Sequence, residues 1–569
     1  MFPLRLFKFC FAGILVGLAA SNARAQDLSN LKNEKWATLH GSVGATAYIY
    51  NMDGAPARRV PLSYILSGNA TLTLKGVSLP FSFQYSEQQR DFRQPFNQFG
   101  VSPTYKWIRV HLGYRNVSFS RYTLDGHRFL GAGIELNPGK FRFGAVYGRF
   151  LRAVPEDSSR QVTNSVSQYP VAAYDRYGYG IKIGVGTANT FFDLVYFKGK
   201  DDSSSVRRQP EIQLTAPSEN ASLGFRTRVT LFKKLSFEAD AAASVYTRDQ
   251  RADSILLEQV GWQKEVSRIL VPRLSTNIYY AGDASLGWRD KNYSLALKYT
   301  RVLPDYRSMG TYFLQTDVER YTFSPAFNSK KGTIQASGSI GFEHDNLQAK
   351  KLAQTKRVIG AFSANYAPTQ AFGIGVQYAN FGITQRPGLR SLTDTITIDQ
   401  VTQSIMLSPR YTLTRDKAQH TFLYLFSNQS LNDRNRFASQ DFGMTNINNT
   451  LSYVLYLTKS GLSIDASAYQ VNTTVSVGQS TSLGGSAGIN KGFLENRLTT
   501  GVSANYSSNS FEGAPGGSTL QMRGTGQYTY SKRHRLRADY VFTSNESATQ
   551  AVNRAFRENL LTLQYAYSF

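Results

Sequence analysis

Residues 484–488 read GGSAG, a literal G-x-S-x-G, the spacing that in a hydrolase lifts a nucleophilic serine onto a strand-to-helix elbow. Here Leu483, Gly485, Ala487 and Ile489 alternate with Ser486, which is the pattern of an uninterrupted strand, so the match carries no nucleophile. Six histidines (His40, His111, His127, His344, His420 and His534) are scattered, with no H-E-x-x-H pair and no metal-ligand spacing. The stretch GYGIKIG at 178–184 lacks the spacing and the following helix of a dinucleotide site. No catalytic, cofactor-binding or metal-binding residue is assigned, no cofactor is expected, and the chain is read as not an enzyme. The enzymatic alternative is a Ser/His/acid site assembled at a rim from distant residues.

The remaining chemistry is charge. The 569 residues hold 64 Lys and Arg against 39 Asp and Glu, a net charge of +25. Such a balance fits nucleic-acid binding, but no nucleic-acid module is recognisable, and that partner is set aside. Many basic residues sit at turns or loop ends (Arg58-Arg59, Lys233-Lys234, Lys330-Lys331, Lys532-Arg533), where solvated rim charge or attraction of lipid phosphates accounts for them. Others lie inside alternating segments. In 219–232 one side reads Leu223, Phe225, Thr227, Val229, Leu231 and the other Gly224, Arg226, Arg228, Thr230. By the same reading Arg142, Arg226, Arg228, Lys298, Arg410 and Arg523 fall on polar faces and are expected to line a pore. Pairing Arg228 with Glu238 across the turn near Lys233-Lys234 also sets Arg226 opposite Asp240, and a turn at NPGK (137–140) sets Glu135 opposite Arg142.

Period-2 alternation recurs along the chain, and no long stretch carries a helical stripe. Twenty-six strands fit (24 to 26 accepted), running from 36–50 to 556–569 and including 104–115, 117–124, 127–136 and 311–327, with the shortest at 117–136. Tight connections alternate with long polar ones such as 152–173, 199–218, 248–275, 385–396 and 432–444. Short turns at one rim and long loops at the other are the pattern of a transmembrane β-barrel, whose averaged composition (41% hydrophobic, with 34 Tyr and 36 Phe) is otherwise unremarkable. The expectation is all-β: one large antiparallel barrel without a plug domain, residues 26–569. Loops 152–173 and 248–275, then 88–100 with Arg90, Arg93 and Phe96, are expected to constrict the lumen or to bind outside it.

Residues 1–25 carry a basic start, an apolar run from Phe9 to Ala20 and Ala23-x-Ala25, which reads as a secretory signal cleaved before Gln26. Cys10, the only cysteine, lies within it, and loss of Arg5, Lys8 and Arg24 with the signal lowers the net charge of +25 to +22. At the other end NLLTLQYAYSF (559–569) is amphipathic, with Tyr565, Tyr567 and Phe569 on one side.

That terminal strand, with the signal and the alternation, resembles outer-membrane β-barrels of Gram-negative bacteria across residues 26–569. The resemblance implies that Tyr565, Tyr567 and Phe569 form the signal read by the barrel-assembly machinery, and that outer-membrane lipid and lipopolysaccharide surround the protein. Three stretches, LSYILSGNATLTLKGVSLPFSFQYSEQQ (62–89), QPFNQFGVSPTYKWIRVHLGYRN (94–116) and FLGAGIELNPGKFRFGAVYGRFLRAV (129–154), resemble an uncharacterised family of Bacteroidota outer-membrane proteins, which brings a barrel and no activity. The function expected is a porin-like passive channel with a basic lumen. The alternative is a barrel acting as scaffold or partner for another envelope protein in secretion, surface display or envelope assembly.

Overall fold

The computed structural model describes residues 36–569 except 76, 87–97, 155–172, 207–215, 256–266, 268, 313, 388–397, 434–442 and 548–554. The signal segment, Arg90, Arg93 and Phe96, and most of loop 152–173 lie outside the described residues. Twenty-six antiparallel strands follow one another around a closed barrel, and no helix occurs among the described residues. They are β1 Ala37–Asp53, β2 Leu62–Leu74, β3 Val77–Ser86, β4 in two pieces (Gln98–Val101 and Thr104–Tyr105), β5 Ile108–Asn116, β6 Arg128–Leu136, β7 Phe141–Leu151, β8 Arg176–Gly186 and β9 Phe191–Asp201. Next come β10 Glu219–Leu231, β11 Leu235–Thr247, β12 Thr276–Arg289, β13 Tyr293–Val302, β14 Val318–Asn328, β15 Ile334–His344, β16 Ala353–Tyr366, β17 Phe372–Pro387 and β18 Ile398–Arg415. The circuit ends with β19 Ala418–Asp433, β20 Met444–Leu457, β21 Leu462–Val475, β22 Gly478–Phe493, β23 Leu498–Phe511, β24 Ala514–Ser531, β25 His534–Ser547 and β26 Phe556–Ser568.

The last strand closes on the first, from Ser42 opposite Ser568 to Asp53 opposite Arg557. Gly41 and Phe569 extend the seam with a reciprocal pair of backbone hydrogen bonds, each 3.0 Å. Closure leaves no free sheet edge, the condition for a β-structure to cross hydrocarbon.

Alternation decides the two faces. Leu223, Leu297, Leu483 and Val502 point away from the barrel and are 56%, 56%, 62% and 64% exposed. An apolar face that continuous is the one a bilayer covers. The opposite face carries Arg, Asp, Glu, Ser, Thr, Asn and Gln.

The strand total agrees with the sequence reading through two errors that cancel. Residues 117–124 do not form a wall strand, because they fold into the lumen. The strand missing from the reading is β4, which begins at Gln98 and breaks at Ser102-Pro103, where proline offers no N–H to the ladder. The segment read as 311–327 becomes wall only from Val318.

One register also differs. Glu135 lies opposite Gly144, and Arg142 is two positions out of step with it. The hairpin turns on Gly139 (φ +62°) and Lys140, with the Phe141 N–H donating to the Pro138 carbonyl at 3.1 Å. The earlier register would have set Pro138, fixed near φ −65°, at the first central position, where two-residue hairpins favour positive φ.

Candidate channel lumen

Two connections on the long-loop side fold inward. Residues 117–127, between β5 and β6, make a knob in which the N–H groups of Phe119 and Ser120 both donate to the Leu124 carbonyl. Residues 303–312 and 314–317, between β13 and β14, lie beside it, with Gly310 and Thr311 paired in parallel with Leu124 and Asp125. The Tyr306 hydroxyl donates to the Tyr122 carbonyl at 2.6 Å, and the Ser308 hydroxyl donates to the Thr123 carbonyl at 2.5 Å.

The wall beneath is shaped to receive them. Lumen-facing positions of β6 to β10 are unusually rich in glycine, and four of these glycines act as sockets. A Cβ on Gly144 would sit 2.6 Å from the Phe119 ring, one on Gly180 2.9 Å from Leu124, one on Gly199 3.0 Å from Met309, and one on Gly224 2.9 Å from Thr123. Around them Phe129, Val146, Phe150, Val195 and Phe197 complete a buried apolar cluster with Phe119, Leu124 and Met309. These wall strands are therefore apolar on both faces, the signature of a sheet covered on both sides.

Polar anchors fix the seat. Asp240 and Asp283 face each other across β11 and β12, a pairing that repels unless compensated. The knob supplies part of that compensation: Ser120 Oγ donates to Asp240 at 2.6 Å, the Arg121 N–H to Asp240 at 2.9 Å, and the Tyr122 hydroxyl to Asp283 at 2.9 Å. Lys298 Nζ adds 2.8 Å to Asp283. Burial, followed by the nearby Asp283 and Asp240 charges, drives the Tyr122 hydroxyl well above its usual pKa, so it stays a donor. Asn220 receives the Met309 N–H at 3.0 Å and donates to the Ser244 hydroxyl at 2.7 Å.

Beside the knob, one cross-strand row of the lumen face runs Arg142, Gly184, Asp193, Arg226, Asp240, Asp283, Thr300, Arg320, Glu343, Arg357 from β7 to β16. Arg142 is the second residue of β7 at the tight-turn rim, and Glu343 the penultimate residue of β15 at the long-loop rim. With strands about 4.8 Å apart and tilted about 40°, a row perpendicular to them climbs on the order of 25–30 Å, about the height of the apolar band. The charges thus form a ramp through the barrel. Arg142 forks onto Asp193 at 2.7 and 2.9 Å. Glu343 accepts from Arg320 Nε at 2.6 Å and from Arg357 at 2.7 Å.

Arg142, Arg226 and Arg228 gather around one ring, their guanidinium carbons 4.4, 5.7 and 5.9 Å from the Phe191 centroid. Arg228 and Glu238 approach to 2.7 Å in the register expected of them, as an ion pair without good hydrogen-bond direction. Lys298 joins the group through Asp283. Arg410 and Arg523 stand apart: Arg523 pairs with Asp539 at 3.1 Å, and Arg410 has no ion-pair partner among the described residues. Glu135, expected beside Arg142, instead holds His111 at 3.0 Å and Lys182 at 3.7 Å. Tyr565, Tyr567 and Phe569 lie on the outward side of the seam; the first two face Ala45 and Val43.

Phe191, Asp193, Asp283 and both inward segments were missed by sequence reasoning, whereas Glu238 and Asp240 were expected opposite their arginines. The signal that could have shown them is the glycine-and-aromatic repeat on the lumen side of β6 to β9, where a water-facing wall would be polar. The described end of loop 248–275 does not constrict the lumen: Leu270 packs on the outward side, against Ala221 and Val245. Beyond Val318, no described hydrophobic residue is buried, and the lumen face of β16 to β26 is lined chiefly by small polar side chains.

No protein-family profile and no curated protein matches the sequence. Among solved structures, the chain is similar to OccAB4 of Acinetobacter baumannii at 12% identity over 70% of this chain and 99% of that one, with a TM-score of 0.29. It is similar to the copper transporter OprC at 8% identity, over 94% and 81%, with a TM-score of 0.40. A third similarity is to the translocation pore of the P pilus usher PapC, at 11% identity over 93% and 99%, with a TM-score of 0.38. Superpositions this loose transfer no role; the barrel stands on its own strand pairing.

Proposed function

We propose that the protein is a porin-like passive channel of the outer membrane, admitting small polar solutes past the internal knob. The observation carrying this reading is the asymmetry of the lumen. The β6–β14 side is packed by the inward segments, while the β16–β26 side presents polar residues with no buried hydrophobic cover among those described. A 26-stranded circuit is wider than the 16–18-stranded porins that hold an aqueous channel, so space remains beside the knob. Most lumen cations have carboxylate partners, which narrows the expected basic character to a mild anion preference from groups such as Arg226 and Arg410.

The same reading includes lipopolysaccharide as the surrounding lipid, assembly through Tyr565, Tyr567 and Phe569, cleavage before Gln26 and affiliation with the Bacteroidota family. N-terminal sequencing of the membrane-inserted protein tests the cleavage. The function is tested by single-channel conductance of the refolded barrel in planar bilayers under a salt gradient. Stable steps with a small anion-directed reversal potential are expected. Silence from a demonstrably folded barrel would move the assignment to a scaffold or partner barrel.

A further inference from the structure

Between the knob and the wall of β10 to β12 lies a cavity of about 190 Å³, lined by Arg226, Asp125, Arg121, Ser118 and the paired carboxylates Asp240 and Asp283. At about 30 Å³ per water-sized group, it holds a solute of about six non-hydrogen atoms. Most charges here are committed. Asp240 takes Ser120 and the Arg121 N–H, Asp283 takes Tyr122, Lys298 and, at 3.8 Å, the Arg121 guanidinium, and Glu238 takes Arg228.

Two are not. Arg226 stands in register between Asp193 and Asp240, but Asp193 is held by Arg142 and Asp240 by the knob, so among the described residues the Arg226 guanidinium has no hydrogen-bond or ion-pair partner and lies near the Phe191 ring, in the field of Asp240. Asp125 uses its backbone to pair with Thr311, and its carboxylate is exposed with no ion-pair partner among the described residues. One uncommitted cation on the wall and one uncommitted anion on the knob thus border the same small cavity. A simple anion would meet Asp125, and a simple cation would meet Arg226. A molecule carrying both charges satisfies both.

We propose that this cavity is a binding site for small zwitterions, with the ligand carboxylate on Arg226 and its ammonium on Asp125. The proposal rests on the channel reading for its purpose: it places a zwitterion stop on the charge ramp, on the route through the lumen. It does not rest on that reading for its test.

The test uses L-alanine, with propionate (anion only) and L-alaninamide (cation only) as charge-deleted analogues no larger than alanine itself. Binding to the full-length barrel in detergent is measured by calorimetry, and current reduction is measured in bilayers. L-Alanine is expected to bind about fivefold more tightly than either analogue, the upper scale of one partly solvated ion pair. Arg226→Gln and Asp125→Asn should each abolish that preference, while Arg226→Lys should retain most of it, which separates loss of charge from loss of fold. Equal binding of all three compounds, or a preference that survives both neutralising variants, overturns the site while leaving a conducting channel intact. Selective calorimetric binding by a barrel that passes no current overturns the channel reading and keeps the site.

Discussion

Removing the Phe119 ring should open the knob without unfolding the barrel. The side chain is 1% exposed, wedged over Gly144 with Lys182 Nζ 4.8 Å from its centroid. Truncating a buried phenylalanine to alanine costs about 3–5 kcal/mol, and the lost cation–π contact adds to it. Water can refill a void beside an aqueous lumen, so the lower end, about 3 kcal/mol, is the working figure. At about 1.4 kcal/mol per tenfold, the closed-to-open ratio of the knob falls on the order of 100-fold. Hydrogen exchange of Phe119→Ala, followed by mass spectrometry, reads this directly. Peptides covering 117–127 and 303–317 should lose protection together, because Tyr306 and Ser308 bind the knob backbone, while peptides from β20 to β24 stay unchanged. Phe119→Leu, which conserves most of the volume, should shift protection by less than about 1.5 kcal/mol. Unchanged exchange in the alanine variant would refute the claim that this ring holds the knob.

Three further outcomes are expected. His127 is buried, stacked on Tyr312 at 4.3 Å with Phe150 5.3 Å away, and burial pushes its pKa down to about 4, opposed by its hydrogen bond to the Arg128 carbonyl and aided by Arg176. A released imidazole titrates near 6.5, so the released state binds the proton first. Knob closure is at full strength above that pH, weakens by about 3 kcal/mol as pH falls to about 4, and levels off below. Exchange measured across this window should follow that curve, and His127→Phe should flatten it. Glu343→Gln should leave Arg320 and Arg357 uncompensated, turn the reversal potential towards anions and lower stability by about 2 kcal/mol, discounted because both arginines are about one-third exposed; an unchanged potential would remove Glu343 from the conducting wall. Deleting Phe569 loses the reciprocal hydrogen bonds to Gly41, about 1–3 kcal/mol at the seam. A fall in membrane-assembled barrel, read by heat-modifiable gel mobility, is expected to exceed that cost if the terminal aromatics are recognised during assembly; a barrel that assembles normally would leave them a seam role only.

The barrel was legible in the sequence because alternation with period 2 is local: Leu223 and Arg226 declare their faces without reference to any other strand. Pairing across the short turn at 232–234 was equally legible, as Arg228 and Glu238 show. It failed at NPGK because two counts were open and the handedness of the turn chose between them. The knob was hidden for a different reason. Val117 and Phe119, then Tyr122 and Leu124, are spaced by two and pass for wall, and nothing nearby in sequence says that their partners are glycines and carboxylates on later strands. Arg142 and Arg226 were identified by side-chain type alone; that they share Phe191 depends on three strands meeting.

The distances along the chain between the knob and its anchors set an order of events. Ser120 finds Asp240 120 residues later, Tyr122 finds Asp283 161 residues later, and Tyr306 returns 184 residues to Tyr122. Gly144 and Gly180 are close by in sequence, so the apolar seat can form while the barrel is half built. The polar lock cannot close until β11, β12 and the 303–317 segment have arrived, and contacts at such separation form slowly. A growing barrel therefore carries a loose knob for most of its assembly and fastens it late, and a chain stalled before β12 would present the same wall with its obstruction unlatched.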